Sequence, residues 1–208
     1  YNPTSLCRDM NTLGVMMGKQ QRAAEWVTFV QGYFDKVATT VASLKAADKK
    51  LVYFESWTDW KSAAEGSGWH DMLVLAGGRN MMAGAGVAYP VASPEAVLTA
   101  KPQVVIKQAD SAGAVLGYYA TDNTQAEAKR QALIGRAGWA ALPAVQNGKV
   151  FLVSAEITGG FGKPACIMYI AKILYPEKFT DLNPVAFHKA YCEYQGVEYK
   201  GIHIYPTP

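Results

Sequence analysis

The chain has 208 residues, 50% of them hydrophobic and 18% charged, with a formal net charge of +3. Such a composition is that of a globular chain and excludes a disordered one. The small, scattered positive charge, with no basic run carrying interleaved aromatics, argues against nucleic acid as a partner.

No apolar stretch reaches the roughly 18 residues a membrane-spanning helix needs. No secretory leader is visible, and a chain starting at Tyr1 rather than Met reads as a processed or excised piece. In chain order, residues 9–44 read as helix. Ala23, Trp26, Val27, Val30, Phe34, Val37, Val41 and Leu44 fall near a 3.6-residue period, and Gly18 is a place where two helices could separate. A strand is predicted over 51–55, then a helix over 69–76 that stops at Gly77-Gly78. Ser93 before Pro94 marks a capped helix start, with the helix continuing over 96–100. A second strand is predicted over 103–107 and a helix over 124–134, with Thr121 or Asp122 near its cap. The Asn147-Gly148 turn leads into a strand over 149–154. Helices over 164–174 and 184–191 follow, and "GIHIYPTP" ends the chain as a short strand or a tail. Strands alternating with helices predict one α/β unit: a Rossmann-like, mostly parallel sheet flanked by helices, with a long helix at its N-terminal end. No internal repeat or low-complexity segment interrupts it.

In open α/β sheets, ligands bind beyond the carboxyl ends of the strands, so the segments after each strand carry the functional question. After the first comes "SWTDWKSAAEGSGW", with Trp57, Trp60 and Trp69, three of the chain's five tryptophans. After the second comes "QADSAGAVLGYYATDN", with Tyr118 and Tyr119, and after the last "SAEITGGFGKP", with Glu156 and Phe161. A fourth segment, "GAGVAYPVASPE", carries Tyr89. Glycine permits close backbone approach, and aromatic faces bury large area at small entropic cost. Four ring-bearing segments predict a binding face in which Trp57, Tyr89, Tyr118 and Phe161 share one rim. Trp139 lies away from those strand ends and reads as structural.

Catalytic signals are weak. Gly66-Ser67-Gly68 lacks the third glycine and acidic residue of a dinucleotide fingerprint, and no GxSxG or HExxH occurs. His188 and Cys192, four apart, share a helix face but make only two ligands; His70 and Asp71 diverge; Asp59 with Glu65 is a carboxylate pair that spacing does not force. Cys7, Cys166 and Cys192 form no CxxC and allow at most one bridge; three mostly buried thiols are expected. Neither a metal nor a cofactor is expected, and the chain is not read as an enzyme.

"WTDWKSAAEGSGWHDMLVLAGGRNMMA", "YPVASPEAVLTAKPQVVI", "LPAVQNGKVFLV" and "KPACIMYIAKILYPEKF" resemble the class III substrate-binding proteins of ABC importers, over residues 11 to 187. The resemblance implies two α/β lobes joined by a rigid long helix, with cargo held between them. Residues 1–46 would be the interlobe helical segment and 47–208 the C-terminal lobe, the N-terminal lobe preceding Tyr1 being absent. It further implies an extracytoplasmic protein that captures a ferric siderophore, haem or cobalamin and passes it to permease subunits, meeting the membrane only through an anchor or that permease. Glu95 matches the acidic residue that docks on the permease, and Tyr89 an aromatic of the cleft. Trp57, Trp60 and Trp69 fall in a cleft loop, with Glu156 and Phe161 at the same rim. A helix surface normally covered by the missing lobe could pair two copies of the fragment. The alternatives are a metallocluster enzyme subunit of related two-lobed fold, disfavoured by the scattered cysteines, and a ligand-sensing extracellular domain.

Overall fold

The computed structural model describes residues 5–208. Its centre is a five-stranded sheet in the order β2-β1-β3-β4-β5, with β1 Leu51–Glu55, β2 Arg79–Asn80, β3 Val104–Gln108, β4 Val150–Val153 and β5 Ile204–Tyr205. β1, β2, β3 and β4 run parallel; β5, the segment expected as strand or tail, pairs antiparallel with β4 through Leu152↔Tyr205 and Val153↔Ile204. The chain leaves β1 for β2 on one side and returns to β3 on the other. The topological switch point therefore lies between β1 and β3.

Side chains alternate across this sheet and feed two separate apolar layers. Val52, Phe54, Val104, Ile106, Phe151 and Val153 face one layer. Helices α2 (Gln20–Ala42), α3 (Gly68–Leu75), α8 (Lys163–Leu174) and α9 (Pro184–Gln195) cover it. Tyr53, Val105, Val150 and Leu152 face the other, under α4 (Pro94–Ala100), α5 (Thr124–Ile134) and the short α6 (Pro143–Gln146). α8 is apolar nearly all round because α2, α3 and α9 pack around it, and almost every one of its residues is buried.

The predicted helix over 9–44 is two helices, α1 (Leu6–Met16) and α2, folded back on one another. Gly18 turns the chain at φ +62°, a conformation that costs a side-chain-bearing residue about 1–2 kcal/mol. At the other end of α2, Val41 packs beside Gly77 near the amino end of β2, while Arg22 donates to the Tyr194 carbonyl at 3.1 Å near the end of α9. Caps set the remaining boundaries: Ser67 Oγ accepts from His70 N (3.2 Å), Ser93 Oγ from Ala96 N (3.1 Å) and Asn183 Oδ1 from Ala186 N (3.0 Å). Asp122, expected near the cap of α5, stands one residue before the N-cap Asn123, and its Oδ1 accepts from Thr124 N at 2.8 Å. α9 runs one turn beyond the predicted 191 and stops at Gly196, in a left-handed conformation.

Candidate functional site

Because β1 to β4 are parallel, the segments that follow them emerge at one edge of the sheet. The post-β1 segment is laid against the post-β2 segment by backbone bonds: Ser62 N to the Pro90 carbonyl, Ala64 N to Ala88, and Ala92 N to Trp60, all between 2.8 and 2.9 Å. Asn80 joins the same assembly. Its Nδ2 donates to the Ala63 carbonyl (2.8 Å) and to His70 Nδ1 (3.2 Å), and its Oδ1 accepts from Met82 N (3.0 Å). Trp57 and Tyr89 are thus carried on interlocked loops, and both rings are open to solvent, at 51% and 56% exposure.

The three tryptophans of the opening loop point to three different environments. Trp57 is displayed. Trp69 lies against the core, stacked on Phe54 with ring centroids 3.7 Å apart. Trp60, at φ +62°, lies over a buried ion network. Glu55 at the end of β1 is wholly buried and accepts two bonds from Arg136, at 2.7 and 2.9 Å. Lys107 of β3 also bonds Glu55, and reaches Asp59 Oδ1 (2.9 Å) and the Ser56 carbonyl (3.0 Å). Arg136 touches Asp59 as well, at 3.1 Å, and its guanidinium stands 4.2 Å from the centroid of the Trp60 ring and 5.0 Å from that of Trp139. Two carboxylates and two cations balance. Burial opposes the Glu55 charge, but the bonds from Arg136 and Lys107 outweigh it and hold the carboxyl below its usual range. The network fills the end of the sheet at the β1/β3 switch point. Trp139 is fully buried beside it, structural as expected, but at the strand ends rather than away from them.

The post-β3 loop is organised by Asp110. Its carboxylate accepts from the backbone of Ala112 (2.7 Å), Gly113, Ala114 (3.2 Å) and Val115 (2.6 Å). Burial works against the charge, and these four amides more than offset it, so the carboxyl is held below its ordinary value. The loop ends in Tyr118, half-buried, and Tyr119, 80% exposed, with ring centroids 5.1 Å apart and edge-on.

After β4, Glu156 lies on the short α7 (Ala155–Thr158), and both its oxygens face protein groups: Tyr118 N at 3.0 Å and His203 Nδ1 at 3.3 Å. Phe161 is half-exposed and turned toward an open groove of about 480 Å³ lined by Met10, Leu13, Met17, Trp26 and Tyr194. It therefore adjoins the α1–α2 hairpin. Glu95 is exposed in the first turn of α4, where a carboxylate also suits the helix dipole.

Sequence reasoning missed Asn80, Asp110, Lys107 and Arg136. Asp110 had a signal, an Asp opening a Gly-containing loop after a strand. Lys107 and Arg136 act across long separations that no local pattern carries, and Asn80 is seated by bonds to Ala63, His70 and Met82. Among the described residues, no group of three or more His, Cys, Asp or Glu side chains is placed to hold a metal ion, and all three cysteines are free. His188 is buried, and burial, then the nearby His203, push its pKa down to about 3, leaving a neutral ring.

The sequence model of a family described as periplasmic binding protein matches residues 1–156. Among solved structures, the TroA-like periplasmic binding protein FepB from Veillonella parvula superposes with a TM-score of 0.83 at 25% identity, over 95% of this chain and 60% of its own. An ABC transporter solute binding protein from Sulfurospirillum deleyianum gives 0.75 at 25% identity, over 96% and 59%. The molybdate periplasmic binding protein MolA of a Haemophilus influenzae ABC transporter, with molybdate bound, gives 0.71 at 21% identity, over 94% and 57%, and that likeness speaks for the fold alone. The chain spans about 60% of the length of these structures. No curated protein matches it.

Proposed function

Since the chain belongs to the periplasmic binding protein family, we propose that it is the C-terminal lobe, with the connecting helical segment, of an extracytoplasmic solute-binding protein that hands a small molecule to an ABC permease. It acts by capture and delivery, without catalysis. The observation that carries this reading is the carboxyl edge of the sheet. Three neighbouring loops present Trp57, Tyr89 and the Tyr118–Tyr119 pair there, two of them interlocked by backbone bonds. Such an edge is half of a cleft; the other half belongs to a second lobe, for which the greater length of the relatives leaves room. Bulky, partly flat metal chelates suit it, because rings bury large area while few polar groups are needed to orient them. A ferric siderophore leads, with haem and cobalamin as further candidates. Glu95, exposed beside this edge, is the group proposed to dock on the permease.

The intact protein, titrated with a ferric catecholate siderophore, hemin, cyanocobalamin and molybdate, is expected to bind one of the chelates. Glu95→Arg is expected to abolish uptake in cells while leaving that affinity within about twofold, since an exposed rim charge changes docking rather than capture. Absence of binding to every chelate contradicts the cargo class. Unimpaired uptake by the Glu95→Arg protein contradicts the docking role.

A second reading, molybdate as cargo, draws on MolA alone. The exposed rings favour a chelate over a small oxyanion, which asks for converging N–H donors instead.

A further inference from the structure

We propose that Glu156 is a positioning residue, holding the Tyr118–Tyr119 edge of the cleft from behind rather than meeting cargo itself; the proposal rests on the cleft reading above. Three segments converge on its carboxylate: the post-β3 loop, α7 and the C-terminal segment that leads into β5. Oε1 accepts from Tyr118 N at 3.0 Å, and Oε2 lies 3.3 Å from His203 Nδ1. His203 is itself buried and seated by Ser154 Oγ (3.2 Å) and the Lys200 carbonyl (3.0 Å). The Glu156 side chain keeps 40% exposure, so what argues for positioning is that each oxygen is already turned to a protein group whose place it fixes.

The backbone around it is shaped to the same end. Gly117, at φ +137°, exchanges both backbone hydrogen bonds with Ile202 (2.6 and 3.1 Å), stitching the post-β3 loop to the C-terminal segment. A Cβ at Gly117 would occupy the place of the Glu156 carboxylate, so glycine is what allows the carboxylate in. From the C-terminal side, Lys200 Nζ stands 4.2 Å from the centroid of the Tyr118 ring, and that ring meets Tyr119 edge-on. Glu156 is thus connected to the exposed Tyr119 through one hydrogen bond and one ring contact.

The test has two arms, both on the intact protein. In the first, amide hydrogen exchange is followed at Tyr118 and Ile202. Glu156→Ala and Gly117→Ala are each expected to speed exchange there about tenfold, the scale of one charge-assisted hydrogen bond. Glu156→Gln, which keeps an acceptor for the Tyr118 amide, is expected to restore most of the protection. Unchanged exchange in Glu156→Ala overturns the proposal. In the second, a ferric catecholate, hemin and cyanocobalamin are the binding probes for Glu156→Ala, Tyr119→Ala and the double variant. If Glu156 acts through the tyrosines, the double variant binds within about twofold of the weaker single one; fully additive losses place Glu156 on the ligand and overturn the proposal. Should the unaltered protein bind none of these probes, the cleft reading fails while the exchange arm still decides the positioning role.

Discussion

Arg136 exemplifies what a single side chain does at this edge. It bridges 81 positions to Glu55, forks onto both carboxylate oxygens, and carries the Trp60 ring on one face. Removing one member of a buried, balanced set leaves an uncompensated charge, which costs about 3–5 kcal/mol. Arg136→Met is therefore expected to lower unfolding stability by about 3 kcal/mol in chemical denaturation, with Arg136→Lys recovering part of it, since lysine keeps the charge and loses the fork. A change below about 1 kcal/mol in the Met variant would mean that Lys107 alone satisfies Glu55. None of this was legible in the sequence. Glu55 and Lys107 stand at the ends of two predicted strands, but nothing local says that they pair, or that an arginine after α5 reaches Glu55 and Asp59. Trp57 and Tyr89 are exposed, as rings of a binding face must be, but nothing in the loop sequence singled them out. Trp60 and Trp69 looked identical to Trp57 on the page. The difference lies in whether a core residue, Phe54, or a guanidinium is within reach, which only the fold decides.

The post-β3 loop is the element on which acidity should act. Asp110 holds four amides, and its folded pKa lies below the ordinary carboxylate value of about 4. A depressed pKa contributes stability that is complete above the unfolded value and is lost as the pH falls through the lower folded one. The loop is thus expected to keep its amide resonances at Ala112 through Val115 unchanged from neutral pH down to about 4, then to loosen below it. Asp110→Asn should remove that transition. Because the group is partly exposed, solvent screening keeps the cost of Asp110→Ala near 1 kcal/mol. Amide shifts that already change between pH 6 and 4 would contradict the assignment. Elements of this size were largely readable where capping chemistry marks them: Ser93-Pro94 and Asn147-Gly148 each announce a boundary that the fold keeps. β2, at two residues, was not, because it is too short to show a period and is held by its partner β1 rather than by its own pattern. The break at Gly18 was visible as a possibility; that α1 folds back along α2 follows from Gly14 lying directly against Ala23.

At the scale of the molecule, a doubly wound sheet of order 2-1-3-4-5 places one set of loops at one edge, which we propose is half of a cleft. The fold was legible because strand and helix signals alternate along most of the chain. The cargo was not, because a scaffold repeats across binding proteins while the loops that meet the ligand diverge. The groove beside Phe161 shows the same limit: a ring predicted for the rim faces the α1–α2 hairpin, for reasons set by how α1 packs and not by the loop's own sequence.

The most direct measurement of the central claim, that the ring-bearing edge receives a chelate, is tryptophan fluorescence of the intact protein titrated with a ferric catecholate siderophore. Trp57 is the displayed indole, whereas Trp139 is fully buried and Trp60 and Trp69 are half-covered. The account predicts saturable quenching that falls by more than half in Trp57→Phe, with affinity reduced about tenfold, the loss of a base-sized stacking contact. Quenching of the same depth and midpoint in Trp57→Phe as in the unaltered protein would contradict it.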